Sequence, residues 1–203
     1  LDDIDVPEVS QGYFKTVPQA VHRRFLHYPE EASLSKEHAR RAIQGYYASV
    51  SFADAQIGRV LDVLDYTGLA ENTIVVFTSD HGYHLGEHGI WKKGTLFENA
   101  ARVPLIFAGP GVKAQGSKTD SLAEMVDIFP TLAELCGVPT PPWLSGVSLA
   151  ATLKDPSATA RQSAMTQTGP NNFSIRTERY RFTRFGKDGG PKDIELYDHM
   201  SDP

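Results

Sequence analysis

The residues best suited to chemistry lie together between Ser79 and Gly94. Ser79, Asp80, His81 and Gly82 directly follow a run of apolar and β-branched residues, with the acid and the imidazole adjacent. Ligands of open α/β sheets bind just beyond the carboxyl ends of strands, where the loops separate. A carboxylate and a neutral imidazole at such a position can provide two ligands of a metal site. The same tripeptide also fits an ordinary polar turn at a strand end, and by itself it leaves both interpretations open.

The remainder of this stretch, residues 83–94, contains three glycines, two histidines, a tryptophan and the lysines Lys92 and Lys93. A long loop that follows a buried strand is more often functional than merely connecting. Its lysines could bind an anionic group of a substrate or stabilise a leaving oxygen; the alternative is that they are solvated surface residues. For the metal, a carboxylate oxygen favours calcium or magnesium, whereas an imidazole favours manganese or zinc.

A long helix is predicted upstream of this stretch. Ser35 is a suitable N-cap, because its hydroxyl can accept a hydrogen bond from an amide of the first turn. Apolar residues then recur every three or four positions, which indicates one continuous apolar face on a helix. The residues of this face are Ala39, Ile43, Tyr46, Val50, Ala53, Ile57, Leu61 and Leu64. Gly68 is predicted to end the helix.

Two apolar runs, residues 73–78 and 103–108, predict strands that are buried on both faces, as in a parallel or mixed sheet under helices. Pro104 cannot donate a hydrogen bond to a neighbouring strand, so we expect it at the start of the second strand. Another helical pattern covers residues 121–136. Within it, Pro130 is predicted to start a separate helix.

The pattern of the chain changes near residue 160. Residues 139–156 are rich in proline and indicate a loop, whereas later runs alternate and indicate an antiparallel meander packed on one face. These runs are residues 174–177, 180–183 and 194–197. We therefore predict an α/β region over residues 1–159 and a small antiparallel subdomain over residues 160–203. Within the first region, residues 1–34 are predicted to run extended across the surface.

Composition limits the classes of function. The chain has 203 residues, 40% of them hydrophobic, and a net charge of −5, which suits a domain with a sizeable core. No basic block interleaved with aromatic residues is present, so a nucleic-acid partner is not indicated. No apolar run approaches the about 18 residues that a membrane-spanning helix needs. The single cysteine, Cys136, excludes an internal disulfide and is predicted to be buried. The chain starts at Leu1 without a methionine or a signal peptide, which we interpret as a sign of a longer protein.

Around Asp80 and His81 the sequence resembles the C-terminal signature of type I sulfatases, a family of the alkaline-phosphatase superfamily. The matching parts of the signature are residues 78–82, residues 85–89, Trp91, Lys93 and residues 102–106. Flanking matches are residues 47–59, 127–132, 174–177, 180–183, 195–198 and 202–203. The resemblance covers about residues 40–203. The Asp-His-Gly form and the Ser-Ile-Arg-Thr run at residues 174–177 point to the iduronate-2-sulfatase branch of the family.

The resemblance implies an alkaline-phosphatase-like fold, in which this chain forms part of a large mixed sheet flanked by helices. Asp80 and His81 match two metal ligands of the family, for an ion that is usually calcium. Lys93 matches the catalytic lysine that contacts the sulfate and the bridging oxygen, and Lys92 is the alternative if the register differs by one. The substrate implied is a sulfated carbohydrate. The compartment implied is the periplasm, the lysosome or the exterior of the cell.

The nucleophile of the family, a formylglycine hydrate, does not come from this sequence. It forms at the first residue of a Cys/Ser-x-Pro-x-Arg motif. After Cys136 the proline stands one position too late and the arginine is missing, and Ser201-Asp202-Pro203 coincides with the family's closing Asp-Pro. The resemblance places the formylglycine and two further acidic ligands in sequence upstream of Leu1. This polypeptide alone is therefore expected to be inactive.

Two other functions fit the same residues. A phosphonate or phosphodiester hydrolase of the superfamily shares the metal scaffold and can share the Asp-His-Gly tripeptide. A non-catalytic binding module would retain the fold without a nucleophile. Upstream sequence separates these functions, because a Cys/Ser-x-Pro-x-Arg motif there would exclude the binding module. The two classes of hydrolase would be separated by substrate-pocket residues and kinetics.

Overall fold

The computed structural model describes residues 1–10, 12–21, 34–187, 190 and 193–201. Near the N-terminus a single helical turn, α1 (Tyr13–Thr16), is followed by Val17 and Val21, which are both buried. The expectation of an extended surface segment is therefore wrong for this part, because its apolar residues join the core. The rest of that predicted segment, residues 22–33, lies outside the described residues.

The long helix α2 (Lys36–Tyr66) confirms the prediction from local signals. Ser35 caps it, since its hydroxyl accepts a hydrogen bond from the amide of His38 at 3.3 Å. The helix ends at Tyr66, two residues before Gly68, and so confirms this glycine as its C-terminal stop. Gly68 adopts a φ of 71°, and the next amide, that of Leu69, donates to the carbonyl of Leu64 at 3.1 Å. A left-handed glycine after the last turn is a common helix C-terminus.

The apolar face of α2 is covered only in its first turns. Ala39 and Ile43 are buried, whereas Val50 and Ile57 are 53% and 38% exposed. The helix carries the predicted apolar face, and most of that face beyond Ile43 is exposed. The periodicity identifies a face, but the elements described here pack over only one end of it.

The two predicted strands form an antiparallel pair, β1 (Val75–Thr78) and β2 (Leu105–Ala108). Pro104 directly precedes β2, as predicted. Phe77 lies opposite Ile106 in this pair, and both side chains are exposed. Burial on both faces, expected from the apolar runs, is therefore wrong for the described residues. The mixture of helices and strands does confirm the α/β class.

Downstream of β1, α3 (Glu98–Ala101) precedes β2 and α4 (Ile128–Leu135) follows it. A 3₁₀ turn at Met125–Asp127 leads into α4, so the helix starts two residues before Pro130. Proline is tolerated there because first-turn amides lack intrahelical partners. The short helix α5 (Ala150–Lys154) lies where a loop was predicted. Cys136 is exposed, which corrects the expectation that it is buried.

The end of the chain forms a four-stranded antiparallel meander in the order β3-β4-β5-β6. Its strands are β3 (Ala164–Gln167), β4 (Phe173–Arg176), β5 (Tyr180–Arg184) and β6 (Ile194–Asp198). The last three confirm the predicted runs, and β3 was not predicted. The division at residue 160 stays a prediction. The side chain of Arg161, just after this position, forms an ion pair with Asp127 of the first region at 2.5 Å.

The meander buries a polar face. Ser174, Arg181 and Thr183 are at most 4% exposed, and Glu195 is 8% exposed. Glu195 accepts a hydrogen bond from the Tyr197 hydroxyl at 3.1 Å. Burial raises the pKa of Glu195 to about 7, against the lowering effect of that bond. On the opposite face, four apolar residues lie side by side across the strands and are exposed. They are Met165, Ile175, Phe182 and Leu196.

A hydrophobic core joins the N-terminal segment, the loop after β1 and the meander. Its buried members are Val17, Val21, Ile90, Leu96, Phe97 and Phe185. The loop that contains the candidate site residues is therefore packed between segments that are distant in sequence. Among the described residues, no helix has both the length and the apolar character needed to cross a membrane.

Candidate active site

The adjacent acid and imidazole follow β1 after Ser79, and their side chains approach each other. The hydroxyl of Ser79 donates to the carbonyl of His81 at 2.8 Å and stabilises the turn. Nδ1 of His81 donates to the carbonyl of Gly82 at 3.0 Å. In the neutral ring the lone pair therefore lies on Nε2, which is 3.5 Å from Oδ2 of Asp80. Two electron-pair donors face each other at this point.

This donor pair is open to ligands. The side chain of Asp80 is 85% exposed and that of His81 is 33% exposed. A carboxylate oxygen and an imidazole nitrogen that face each other fit a shared divalent cation, and the second-shell bond at Nδ1 fixes the tautomer in the way metal-ligating histidines require. In the part of the chain that the structure describes, no group of three or more acidic, histidine or cysteine side chains could hold a metal ion. The pair therefore fits as one part of a metal site.

Gly82 brings α3 against this turn. A Cβ atom at this position would lie 2.0 Å from the carbonyl oxygen of Asn99, so no other residue fits without moving the backbone. The amide of Gly82 donates to the carbonyl of Ala100 at 2.9 Å. The glycine that follows the candidate ligands is thus required for close packing, and the contact sets the distance between β1 and α3.

The long loop folds back on itself, so that its two arms run side by side. The hydroxyl of Tyr83 donates to the carbonyl of Trp91 at 2.8 Å, and the amide of His84 donates to the carbonyl of Lys92 at 3.0 Å. These bonds link the arm that starts at the donor pair with the arm that ends in the lysines. Lys92 is half-buried, and Lys93 is exposed. Of the two registers considered, the exposed Lys93 has the freer side chain for a ligand in solution.

The tip of this loop is held by a left-handed backbone. Gly86, His88 and Gly89 adopt φ values of 111°, 58° and 68°. His88 is the one non-glycine among the described residues with a positive φ. The Tyr13 hydroxyl is hydrogen-bonded to Nδ1 of His88 at 2.5 Å, and the imidazole stacks on Phe97 at 4.3 Å between ring centroids. The tip is therefore anchored to α1 and to the core.

His84 is a structural residue of the loop. It is fully buried, and its Nε2 is hydrogen-bonded to Oγ1 of Thr95 at 2.7 Å. Burial and the neighbouring His88 lower the pKa of His84 to about 4, against an opposing effect of the Glu87 backbone. The imidazole is therefore neutral near pH 7 and has no role as a charged group.

Sequence reasoning missed the ionic cluster that follows the lysines. One carboxylate oxygen of Glu98 accepts bonds from Nε of Arg176 at 3.1 Å and from Nε and Nη2 of Arg181. Burial alone would raise the pKa of Glu98, but the arginines and His199 hold it below its usual value. The one signal in the sequence is an acid directly after the apolar pair Leu96-Phe97.

Comparisons with known proteins give consistent results over the whole chain. A family model described as Sulfatase matches residues 6–138. A second model, described as N-sulphoglucosamine sulphohydrolase, C-terminal, matches residues 86–203. The two matches overlap across the loop described above.

The chain is also similar to individual proteins. It is 41% identical to a sulfatase of Formosa agariphila over 164 residues, and this alignment covers 81% of this chain and 31% of that protein. It is 43% identical to iduronate 2-sulfatase of Mus musculus over 133 residues, and this alignment covers 54% of this chain and 24% of that protein.

Among solved structures, BT4656 in complex with its substrate D-glucosamine-2-N,6-O-disulfate superposes with a TM-score of 0.75 at 30% identity, over 91% of this chain and 40% of that chain. The chain thus spans about a third or less of these curated relatives, and less than half of this solved chain.

Proposed function

Because this chain belongs to the sulfatase family, we propose that it forms part of an enzyme that hydrolyses sulfate esters of sugars. The observation that carries the proposal is the Asp80–His81 donor pair at the end of β1, on a loop that also presents Lys93. Iduronate 2-sulfatase and BT4656, the latter with a disulfated glucosamine as its substrate, support a sulfated carbohydrate as the substrate class. The periplasm, the lysosome or the cell exterior stays the compartment predicted from the family resemblance.

The donor pair would hold a divalent metal, with calcium as our first choice and manganese or zinc as alternatives. Oδ2 of Asp80 and Nε2 of His81 are the two ligands that this chain would provide. A bound cation withdraws charge from the oxygens of a sulfate group and so favours attack at sulfur. The chain's own part is to orient the imidazole, which the bond from Nδ1 to the Gly82 carbonyl does.

Lys93 would stabilise the charge that develops on the bridging oxygen as the ester bond breaks. Its exposed ammonium stands on the arm that is tied to the donor pair through the Tyr83–Trp91 bond. A donor fixed in this way acts mainly in the transition state, where the oxygen is most negative. Lys92, whose side chain is half-buried, remains the alternative for this role.

The nucleophile of the proposed reaction is a formylglycine provided by another part of the enzyme. No Cys/Ser-x-Pro-x-Arg motif is present in residues 1–203. We therefore expect the purified chain to show no turnover of an aryl sulfate, and to bind Ca²⁺ only weakly, because two ligands give little chelation. Turnover by the purified chain, abolished by a chelator, would show that the assignment of the nucleophile to another part is wrong.

The reaction class is tested on a longer polypeptide that contains this chain together with a formylglycine segment. The assay compares kcat/KM for a sulfate monoester and for a phosphonate monoester of the same alcohol. Preference for the sulfate by a factor of about 100, which is about 2.7 kcal/mol of transition-state binding, supports the proposal. Preference for the phosphonate would identify the alternative hydrolase. Absence of hydrolysis of either ester, in a folded protein that contains formylglycine, would favour a non-catalytic binding module.

A further inference from the structure

The segment directly after Lys93 is held at almost every residue by groups from distant parts of the chain. The carbonyl of Gly94 accepts from the hydroxyl of Thr168 at 3.5 Å. Thr95 is buried and bonded to His84, as described above. Leu96 and Phe97 are buried in the core. The backbone that carries the lysine is therefore fixed on its C-terminal side by packing and by polar contacts.

Arg181 of β5 is the group that makes the most of these contacts. It is 4% exposed, and Nη1 donates to the carbonyl of Leu96 at 3.1 Å and to the hydroxyl of Ser174 at 2.9 Å. Nε donates to Oε1 of Glu98 at 3.1 Å, and Nη2 donates to the same oxygen. One buried guanidinium thus binds both the backbone and a side chain of the segment that follows Lys93.

We propose that Arg181 is a positioning residue for Lys93, so that the C-terminal meander sets the geometry of the catalytic loop. The catalytic role of Lys93 in this inference rests on the proposed function. The effect of Arg181 on the loop backbone, which we call the coupling, does not rest on it. The other arm of the loop is already tied by the bond from the His84 amide to the Lys92 carbonyl. Arg181 provides the second fixed point, because it holds the chain at Leu96 and Glu98.

The reason for a second fixed point is the exposure of the lysine. Lys93 lies in an exposed position and no ion pair of its ammonium is found among the described residues. Its reach to a ligand therefore depends on where the backbone places its Cα atom. A misplacement of about 1 Å can lower a rate by about 10²-fold even when it originates far from the reacting atoms. Catalytic groups accordingly need supporting residues that are themselves immobilised.

The test uses Arg181→Lys in the longer enzyme, with Arg179→Lys as the matched control. Lysine keeps the positive charge but loses the planar fork that bonds Leu96 and Glu98 together. Arg179 stands in the same meander and also pairs with a carboxylate, Asp198, at 2.6 Å, but its side chain is half exposed. Within the described part of the chain, its side-chain hydrogen bonds all go to Asp198 and none to the loop. We expect Arg181→Lys to lower kcat at least tenfold with a change in KM below about threefold, since a misplaced transition-state donor affects turnover. We expect Arg179→Lys to keep kcat within about twofold.

A second readout on the purified chain is independent of activity. The amides of Gly82 and His84 are bonded to the carbonyls of Ala100 and Lys92, and their hydrogen exchange reports the closure of the loop. Arg181→Lys should accelerate exchange of both amides at least tenfold, and Arg179→Lys should not. If the parent enzyme hydrolyses no sulfate ester but the exchange result holds, the proposed function fails and the coupling stands.

Two outcomes would overturn the proposal. One is a kcat for Arg181→Lys within twofold of the parent; the other is equal acceleration of exchange in the Arg181 and Arg179 variants. Should Arg181→Lys fail to fold, Glu98→Gln carries the same test. It keeps the shape of the acceptor, removes its charge, and should change kcat and exchange in the same direction by about threefold. A wild-type kcat and exchange rate in Glu98→Gln would then count against the proposal.

Discussion

Asp127 is the buried acid whose replacement should reduce stability most. It is the last residue of the 3₁₀ turn before α4, its side chain is fully buried, and it accepts four hydrogen bonds. Oδ1 accepts from the amide of Val147 at 2.8 Å and from Nη2 of Arg161 at 2.5 Å. Oδ2 accepts from the amide of Glu124 at 2.8 Å and from Nε of Arg161 at 2.6 Å. The substitution Asp127→Asn keeps the shape of the side chain and removes its charge.

The size of the effect follows from these four bonds. Asparagine has one carbonyl oxygen, so two of the donors around Asp127 would face an NH₂ group. A hydrogen bond to a charged group contributes about 1.5–3 kcal/mol, and removal of one partner from a buried ion pair costs about 3–5 kcal/mol. Glu124 remains 3.3 Å from Nη1 of Arg161 and still offsets part of the arginine charge. We therefore expect Asp127→Asn to lower the free energy of unfolding by about 3 kcal/mol.

The measurement is urea unfolding of the parent chain and the variant, with Asp198→Asn as the control. Asp198 also binds an arginine with both oxygens, but at the surface, where ion pairs contribute little to stability. Burial would raise the pKa of Asp127, but Arg161 and the two backbone amides hold it below its usual value. The ionised Asp127 therefore adds to the free energy of unfolding above the unfolded-state pKa, and this stability is lost as the pH falls through the folded-state pKa. A loss of stability in Asp127→Asn no larger than that in Asp198→Asn would refute this account.

Three further predictions concern the loop and the meander. In the longer enzyme, Lys93→Ala should lower kcat by about 10²–10³ with a smaller change in KM, and steady-state kinetics that instead find Lys92→Ala the damaging variant would shift the register by one. Gly82→Ala should reduce the free energy of unfolding by about 2–3 kcal/mol, because its Cβ would meet the Asn99 carbonyl at 2.0 Å; thermal unfolding with an unchanged Tm would contradict the close approach. Burial raises the pKa of Glu195 to about 7. The protonated carboxyl group therefore adds to the free energy of unfolding in acid, and this stability is lost as the pH rises from the unfolded-state pKa to about 7. The total loss is about 3 kcal/mol. Glu195→Gln should remove this decline in urea midpoints measured between pH 5 and pH 8, and parallel pH profiles for the two proteins would refute it.

Local signals in the sequence were sufficient wherever neighbouring residues determine the structure. Ser35 caps α2 through a bond within its own first turn, and Gly68 takes the left-handed conformation directly after the last turn. Pro104 stands before β2, where no amide is needed. The order Asp80-His81 after a strand likewise places both side chains at one point, since the turn spans only a few residues. Each of these features depends on a few consecutive residues.

Features that depend on distant residues could not be predicted in this way. Arg181 and Glu98 are separated by 83 positions, and neither has an unusual neighbour in sequence. The alternation in β5 identifies two faces, but not that Arg181 would be buried and Phe182 exposed. In α2, periodicity identified an apolar face but not which part of it is covered, and Val50 of that face is exposed. A residue's environment is set by the segments that pack on it, and these are not encoded locally.

The buried ion pair between the meander and the loop can be judged by what it adds to stability and by what it adds to position. A buried ion pair such as Glu98–Arg181 often stabilises no more than apolar side chains of the same volume would, because both charges lose their hydration. Apolar packing, however, has no direction, whereas a guanidinium fork binds its partners in one geometry. The pair joins Leu96, next to the lysine arm, to Ser174 of β4. The contact therefore provides position more than stability, and position is the property that an exposed lysine needs for the role proposed for Lys93.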